Sequence, residues 1–148
     1  MFEKTDFGRT LEVVEKGLDA ATLRHKVISD NIANVDTPGF RKTRVSFERA
    51  MRRALSKEAP EARPQAFKTN SKHFDFYEPG YRPKPSEVKP YLIPIMKTKF
   101  RNDVNNVDID EEMSRLAKNQ VLYLSLIQRL GDEMRLMRDV IKQGGGAR

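Results

Sequence analysis

Seven of the eight prolines fall between residues 58 and 102: Pro60, Pro64, Pro79, Pro83, Pro85, Pro90 and Pro94. Proline lacks an amide donor and its ring collides with the preceding turn, so no long helix can run through that stretch. Long helices in this 148-residue chain are therefore confined to its two ends. Between them the sequence predicts extended or polyproline-like pieces, with Phe74-Asp75-Phe76-Tyr77 and Tyr91-Leu92-Ile93 as short strands around a Pro79-Gly80 turn. The expected organisation is an N-terminal helical segment with a turn and a short arm (1–57), a basic proline-rich middle (58–102) and a C-terminal helical segment (103–148).

Both ends carry the periodicity that long helices require. Leu11, Val14, Leu18, Ala21, His25, Ile28 and Ile32 alternate in steps of three and four, and Val13, Ala20, Leu23 and Val27 widen that stripe. The stripe predicts a helix of about 25 residues, roughly 37 Å long, that touches more than one neighbour, with His25 packed in the seam. Near the C-terminus, Ile109, Met113, Leu116, Gln120, Tyr123, Ile127, Leu130, Met134, Met137 and Ile141 repeat the pattern. Gln120 is the one polar position there, which suits a residue that sets register. Asp108 and Glu111 have capping-box spacing, and Asp110, Glu111 and Glu112 put negative charge where a helix start favours it. Gly144-Gly145-Gly146 ends the pattern. The fold class expected is mainly α: two long amphipathic helices pairing as a coiled-coil-like bundle, with an irregular, short-stranded middle.

The first helix must stop before Pro38, which disfavours helical geometry at Thr37. Asn34 suits a left-handed cap, and Thr37-Pro38-Gly39-Phe40 fits a type II turn with glycine at the positive-φ position. Beyond it, residues 41–57 can form a short helix or an extended arm, with Val45, Phe47, Met51 and Leu55 as its apolar positions.

The formal charge of +7 is concentrated in the middle: residues 1–40 carry −2, residues 41–102 carry +10 and residues 103–148 carry −1. A basic, aromatic-bearing middle admits an adaptor that binds nucleic acid or another polyanion through residues 41–102, although no Arg-rich helix or aromatic strand motif frames it. Cysteine is absent, so disulfides and thiolate metal sites are excluded. Asp103, Asn105 and Asp108 invite a calcium reading, but position 114 is Ser where a twelfth-position Glu is needed, and a capped helix start explains them better. Neither His25 nor His73 has a second histidine at ligand spacing, and no phosphate loop, nucleophile elbow or metal-hydrolase motif occurs. No cofactor, metal or enzymatic activity is expected. The first residues lack the apolar stretch of a cleavable signal peptide, and no run approaches the roughly 20 apolar residues of a membrane span.

The string Asp30-Asn31-Ile32-Ala33-Asn34-Val35-Asp36-Thr37-Pro38-Gly39-Phe40 resembles the N-terminal signature of bacterial flagellar axial proteins, the rod, hook and hook-junction subunits. Residues 18–40 look most like the proximal-rod members. The likeness returns at 103–120, where Asn105-Asn106-Val107-Asp108 leads to Glu112-Met113 and then to Asn119, Gln120 and Tyr123, and it returns loosely at 69–74. The family usually has glycine where Val104 stands and proline where Ser71 stands. The resemblance implies a structural rod subunit that transmits torque, with other rod proteins, copies of itself and the membrane-ring or export-gate base as partners. It also implies a place in the basal-body rod across the periplasm, reached by flagellar type III export without a cleaved signal, and no nucleic acid. Stripes and signature together give the expected assembly residues: Leu11, Val14, Leu18, Ala21, Ile28, Asn31, Ile32, Asn34, Thr37, Pro38, Gly39 and Phe40 at one end, and Asn106, Asp108, Met113, Leu116, Gln120, Tyr123, Ile127 and Leu130 at the other.

Overall fold

A computed structural model describes residues 6–56, 83–96 and 105–145. Helix α1 (Asp6–Ala33) is followed by strand β1 (Thr43–Ser46) and the short helix α2 (Glu48–Leu55); a 3-10 turn (Pro85–Glu87) precedes strand β2 (Tyr91–Pro94), and helix α3 (Ile109–Gly145) closes the described chain. The fold is mainly helical with long helices at both ends, as the proline distribution requires. Of residues 41–57, the described 41–56 supply both an extended arm and a short helix. The strand expected at Tyr91-Leu92-Ile93 is present as part of β2, whereas the one expected at residues 74–77, the Pro79-Gly80 turn, His73 and Val104 lie outside the described residues. β2 pairs with β1, antiparallel, with Arg44 opposite Ile93 and Val45 opposite Leu92.

α1 ends where its sequence says it must. The Asn34 amide donates to the Asp30 and Asn31 carbonyls, both at 3.2 Å, and its side-chain Nδ2 donates to the Asp30 carbonyl at 2.8 Å, closing the last turn with its own carboxamide. The type II turn follows: the Phe40 amide donates to the Thr37 carbonyl at 3.3 Å, and Gly39 has φ +74°.

α2 forms because Phe47, Met51 and Ala54 share one helical face, which is buried against Ala20 of α1 and Val88 beyond the 3-10 turn. This cluster is the apolar core of the described structure. Val13, Ala50 and Leu55 pack around it.

α1 and α3 run antiparallel along each other. Asn31 Nδ2 donates to Glu112 Oε2 at 3.0 Å near one end, and Asn119 Nδ2 donates to the Ala21 carbonyl at 2.9 Å further along. Beyond that Leu126 lies over Gly17 so closely that a Cβ there would sit 3.2 Å from its Cδ1. The stripe in contact is not the whole stripe that the apolar pattern predicts. Val14, Ala21 and Ile28 are buried as expected, but the positions between them that reach α3 or the cleft beside it are Gly17, Arg24 and Asn31, each one residue before the expected Leu18, His25 and Ile32. His25 is exposed, and Leu11, Leu18 and Ile32 are half-buried. On α3 the half-buried Leu116 and Leu130 stay in the stripe, while Met113, Gln120, Ile127 and Met134 are exposed and the buried positions are Glu112, Asn119 and Glu133. The reason is that hydrogen-bonded polar residues and a glycine allow the two backbones to approach on this side. An apolar count cannot anticipate that. Gln120 is therefore not the polar register residue of this packing; Asn119 occupies that place.

Gly39 has open space around it, so the effect of a side chain there is purely conformational. Gly39→Val should lower the unfolding free energy by about 1–2 kcal/mol in urea titrations, because a β-branched residue tolerates positive φ poorly. Gly131→Ala, inside α3 with open space for its Cβ, should not destabilise.

A carboxamide-stapled junction as the candidate functional site

Three asparagines join the signature turn to the start of α3, each because its side chain can donate and accept as a peptide group does. Asn31 acts as a substitute strand beside β1: its Oδ1 accepts from the Thr43 amide at 3.0 Å and its Nδ2 donates to the Thr43 carbonyl at 2.9 Å. Asn106 inserts into the other edge. Its Oδ1 accepts from the Lys42 amide at 2.7 Å and its Nδ2 donates to the Ile95 carbonyl at 2.6 Å, bridging the place where the β1–β2 ladder opens beyond the Ile95 amide's bond to the Lys42 carbonyl, 3.0 Å. Asn105 Nδ2 faces the carbonyls of Asn34, Val35 and Thr37 at 3.1, 2.9 and 2.9 Å, and its Oδ1 accepts from the Val107 amide at 2.8 Å. All three are essentially buried, at 0–1% exposure.

Asp108 caps α3. Its Oδ1 accepts from the amides of Asp110 at 3.0 Å and Glu111 at 3.2 Å. Glu111 departs from the expected capping box: its carboxylate takes Lys42 Nζ at 2.5 Å, Arg44 at 2.8 Å and Arg115 at 2.9 Å. The Lys42 hydrogen bond leads in holding the Glu111 carboxyl down at about 2; burial opposes it, and Arg115 adds to it. Lys42 is itself buried, so this ion pair fixes the exit of the turn onto the start of α3.

Of the expected assembly residues, the structure gathers Asn31, Asn34, Thr37, Asn106 and Asp108 into this junction. Pro38, Gly39 and Phe40 form the adjacent turn, while Met113, Gln120, Tyr123 and Ile127 point away. Asn105, Lys42, Glu111, Glu112 and Asn119 were not among the expected residues. Asn105 stood beside Asn106 in the quoted motif, but nothing in the sequence pairs Lys42 with a residue 69 positions later. Among the described residues no group of three metal-capable side chains occurs, and no helix is long and apolar enough to cross a membrane.

The polar side chains of this junction hold the signature turn and the sheet to the start of α3. The family model for flagella basal body rod proteins matches residues 11–41, the second half of which leads into this junction. The chain is 31% identical to the flagellar basal body rod protein FlgB of Bacillus subtilis over 138 residues, covering 93% of this chain and 97% of that one. It is 40% identical over 119 residues to FlgB of Borrelia hermsii, covering 79% and 84%, and 26% identical over 145 residues to FlgB of Escherichia coli, covering 97% and 99%. The chain belongs to the FlgB family of flagellar basal-body rod proteins; it is a structural protein of the rod and not an enzyme.

Two outcomes test the junction. Asn31→Ala should cost about 3 kcal/mol in urea unfolding, since it leaves both Thr43 backbone groups and Glu112 without their partner. The depressed Glu111 carboxyl contributes stability that is fully present above about pH 4.5 and is lost as pH falls through about 2. Wild-type urea midpoints should therefore drop across that window more steeply than those of Glu111→Gln.

Proposed function

We propose that this subunit is built into the axial shaft of the rod through the apolar stripes its own fold leaves outward, and that the shaft so formed transmits torque across the periplasm. The observation that carries this reading is the exposure of Met113, Ile127, Met134 and Ile141, at 51%, 43%, 41% and 64%, along one line of α3. Residues of that size at multiples of seven positions, with Gln120 at the one intervening step, keep to one line of a helix that can pack against another helix. Here the intramolecular partner occupies the neighbouring line instead. On α1 the half-buried Leu18 and Ile32 stand in the same relation to Gly17 and Asn31, and Leu11 extends that line. Of the remaining expected assembly residues, Val14, Ala21, Ile28, Leu116 and Leu130 hold the two helices in the shape that presents those outward lines, and Tyr123 is itself exposed.

Copies of this chain and other rod proteins are the partners that such stripes fit, with the membrane-ring or export-gate base below them. The chain reaches that place through the flagellar export apparatus without a cleaved signal. Within it, the segments 1–57 and 103–148 carry the axial helices, and 58–102 forms the link between them. No observation favours the polyanion-binding reading of the basic middle, and membership of the rod family replaces it.

Ile127→Glu separates folding from assembly. The purified variant should unfold within about 0.5 kcal/mol of wild type, as expected for an exposed position. Cells carrying it should make the chain yet lack it in purified basal bodies and fail to swim. Normal basal bodies and normal swimming would reject the stripe as the assembly surface.

A further inference from the structure

Between α1, β1 and α3 lies a cleft of about 350 Å³. Among the described residues, four buried side-chain polar atoms have no hydrogen-bond partner, and three of them belong to residues lining this cleft: Arg44 Nε, Glu112 Oε1 and Asn119 Oδ1. Glu112 and Asn119 are 1% and 4% exposed, so water reaches them poorly from the bulk, and an orphaned buried acceptor costs the full desolvation of that group. Arg115 Nε stands 3.9 Å from Glu112 Oε1, too far to hydrogen-bond it. The three orphaned atoms have almost no accessible surface, so they lie behind the walls of the cleft, whose apolar part is Val27, Ile28 and Leu122.

The wall formed by β1 offers backbone groups. Among the described residues, sheet order leaves β1 with a strand on one side only. The Lys42 carbonyl points to β2, and Thr43 points its amide and carbonyl to Asn31 on the other edge, so alternation along an antiparallel ladder turns the Val45 amide and carbonyl to that same edge. Val45 lines the cleft. The mouth is positive. Arg24, Arg44, Arg115 and Lys118 line the cleft against Glu48 and Glu112; Arg24 is paired with Glu48, Arg44 and Arg115 share Glu111, and Lys118 has no ion pair among the described residues.

We propose that this cleft is a socket for a short extended peptide segment bearing a carboxylate, presented by a neighbouring subunit. An extended backbone presents amides and carbonyls alternately, which is what the Val45 edge lacks, and the carboxylate meets Lys118 at the mouth. The rod reading supplies the source of the segment; the socket's chemistry stands on the cleft itself.

The test places a small diazirine-bearing residue at Leu122, on the cleft wall, in the full chain in cells, then photolyses purified basal bodies and maps the cross-linked peptides. The expected product joins position 122 to an acidic segment of a neighbouring chain, falls about tenfold in Lys118→Glu and persists in Lys118→Arg. Cross-links only to this chain's own residues, cross-links to a basic segment, or a yield unchanged by Lys118→Glu would overturn the socket. So would no product from position 122 when the same residue at the outward Ile127 cross-links. The diazirine at Ile127 also reports separately on the rod: absence of the wild-type chain from basal bodies would overturn the rod reading and, with it, the source of the segment.

Discussion

The structure depends on a carboxamide at Asn31 that is treated by its surroundings as a piece of backbone. It pairs with both polar groups of Thr43 and holds Glu112, so one buried side chain ties α1 to β1 and to the first turn of α3. A two-stranded ribbon is marginal in water by itself. β1 and β2 persist because Asn31 supplies a rung on one edge and Asn106 bridges the opening on the other, while Lys42 is drawn into Glu111. Each of these contacts closes a loop of more than sixty residues except those of Asn31 with Thr43 and of Asn106 with Ile95. They are therefore costly in chain entropy and rewarded only when made together.

The same choice of polar partners decides what the helices leave free. Because Gly17, Asn31, Glu112 and Asn119 lie on the lines where α1 and α3 meet, the apolar residues next to them cannot lie there as well. A helix pair sealed by its own leucines and isoleucines would be a more stable monomer with nothing to offer a neighbour. The polar line instead fixes how the two helices sit, and the outward line keeps its apolar area for burial elsewhere.

Helix existence, the stop before Pro38, the type II turn at Gly39, the Asp108 cap and the strand at Tyr91-Leu92-Ile93 were legible because each is a local property of a few residues. The phase of the helix contact was legible only by half. Periodicity finds an apolar line but does not say whether the chain itself or another molecule covers it, and it gives no credit to a buried asparagine or to a glycine that admits Leu126. The Lys42–Glu111 pair and the Asn105 contacts were not legible, since they join residues 68 to 71 positions apart whose types are common on any surface. The one available signal was local: three asparagines, Asn31, Asn105 and Asn106, inside the two strings that carry the family likeness. Buried carboxamides reading backbone are a physical reason for asparagine at such positions.

These features give the hairpin a graded stability. Hydrogen bonds and ion pairs between the elements concentrate at the end where Asn31 meets Glu112, while towards the other end the contact rests on Leu126 over Gly17 and the half-buried Leu130, and the Glu133 carboxylate is held by Arg129 within α3 itself, at 2.5 Å. With Asn31 opposite Glu112 and Gly17 opposite Leu126, Asp6 falls beside Met137, and the last turns of α3 run roughly 12 Å beyond the described residues of α1. Val140 and Ile141 in that extension are more than 60% exposed. A helix end without tertiary cover frays at little cost, whereas the stapled end opens only by breaking several buried polar contacts together. The subunit thus combines one end that sets geometry with one that remains adaptable, and the outward line of α3, apolar but for Gln120, runs from the first to the second.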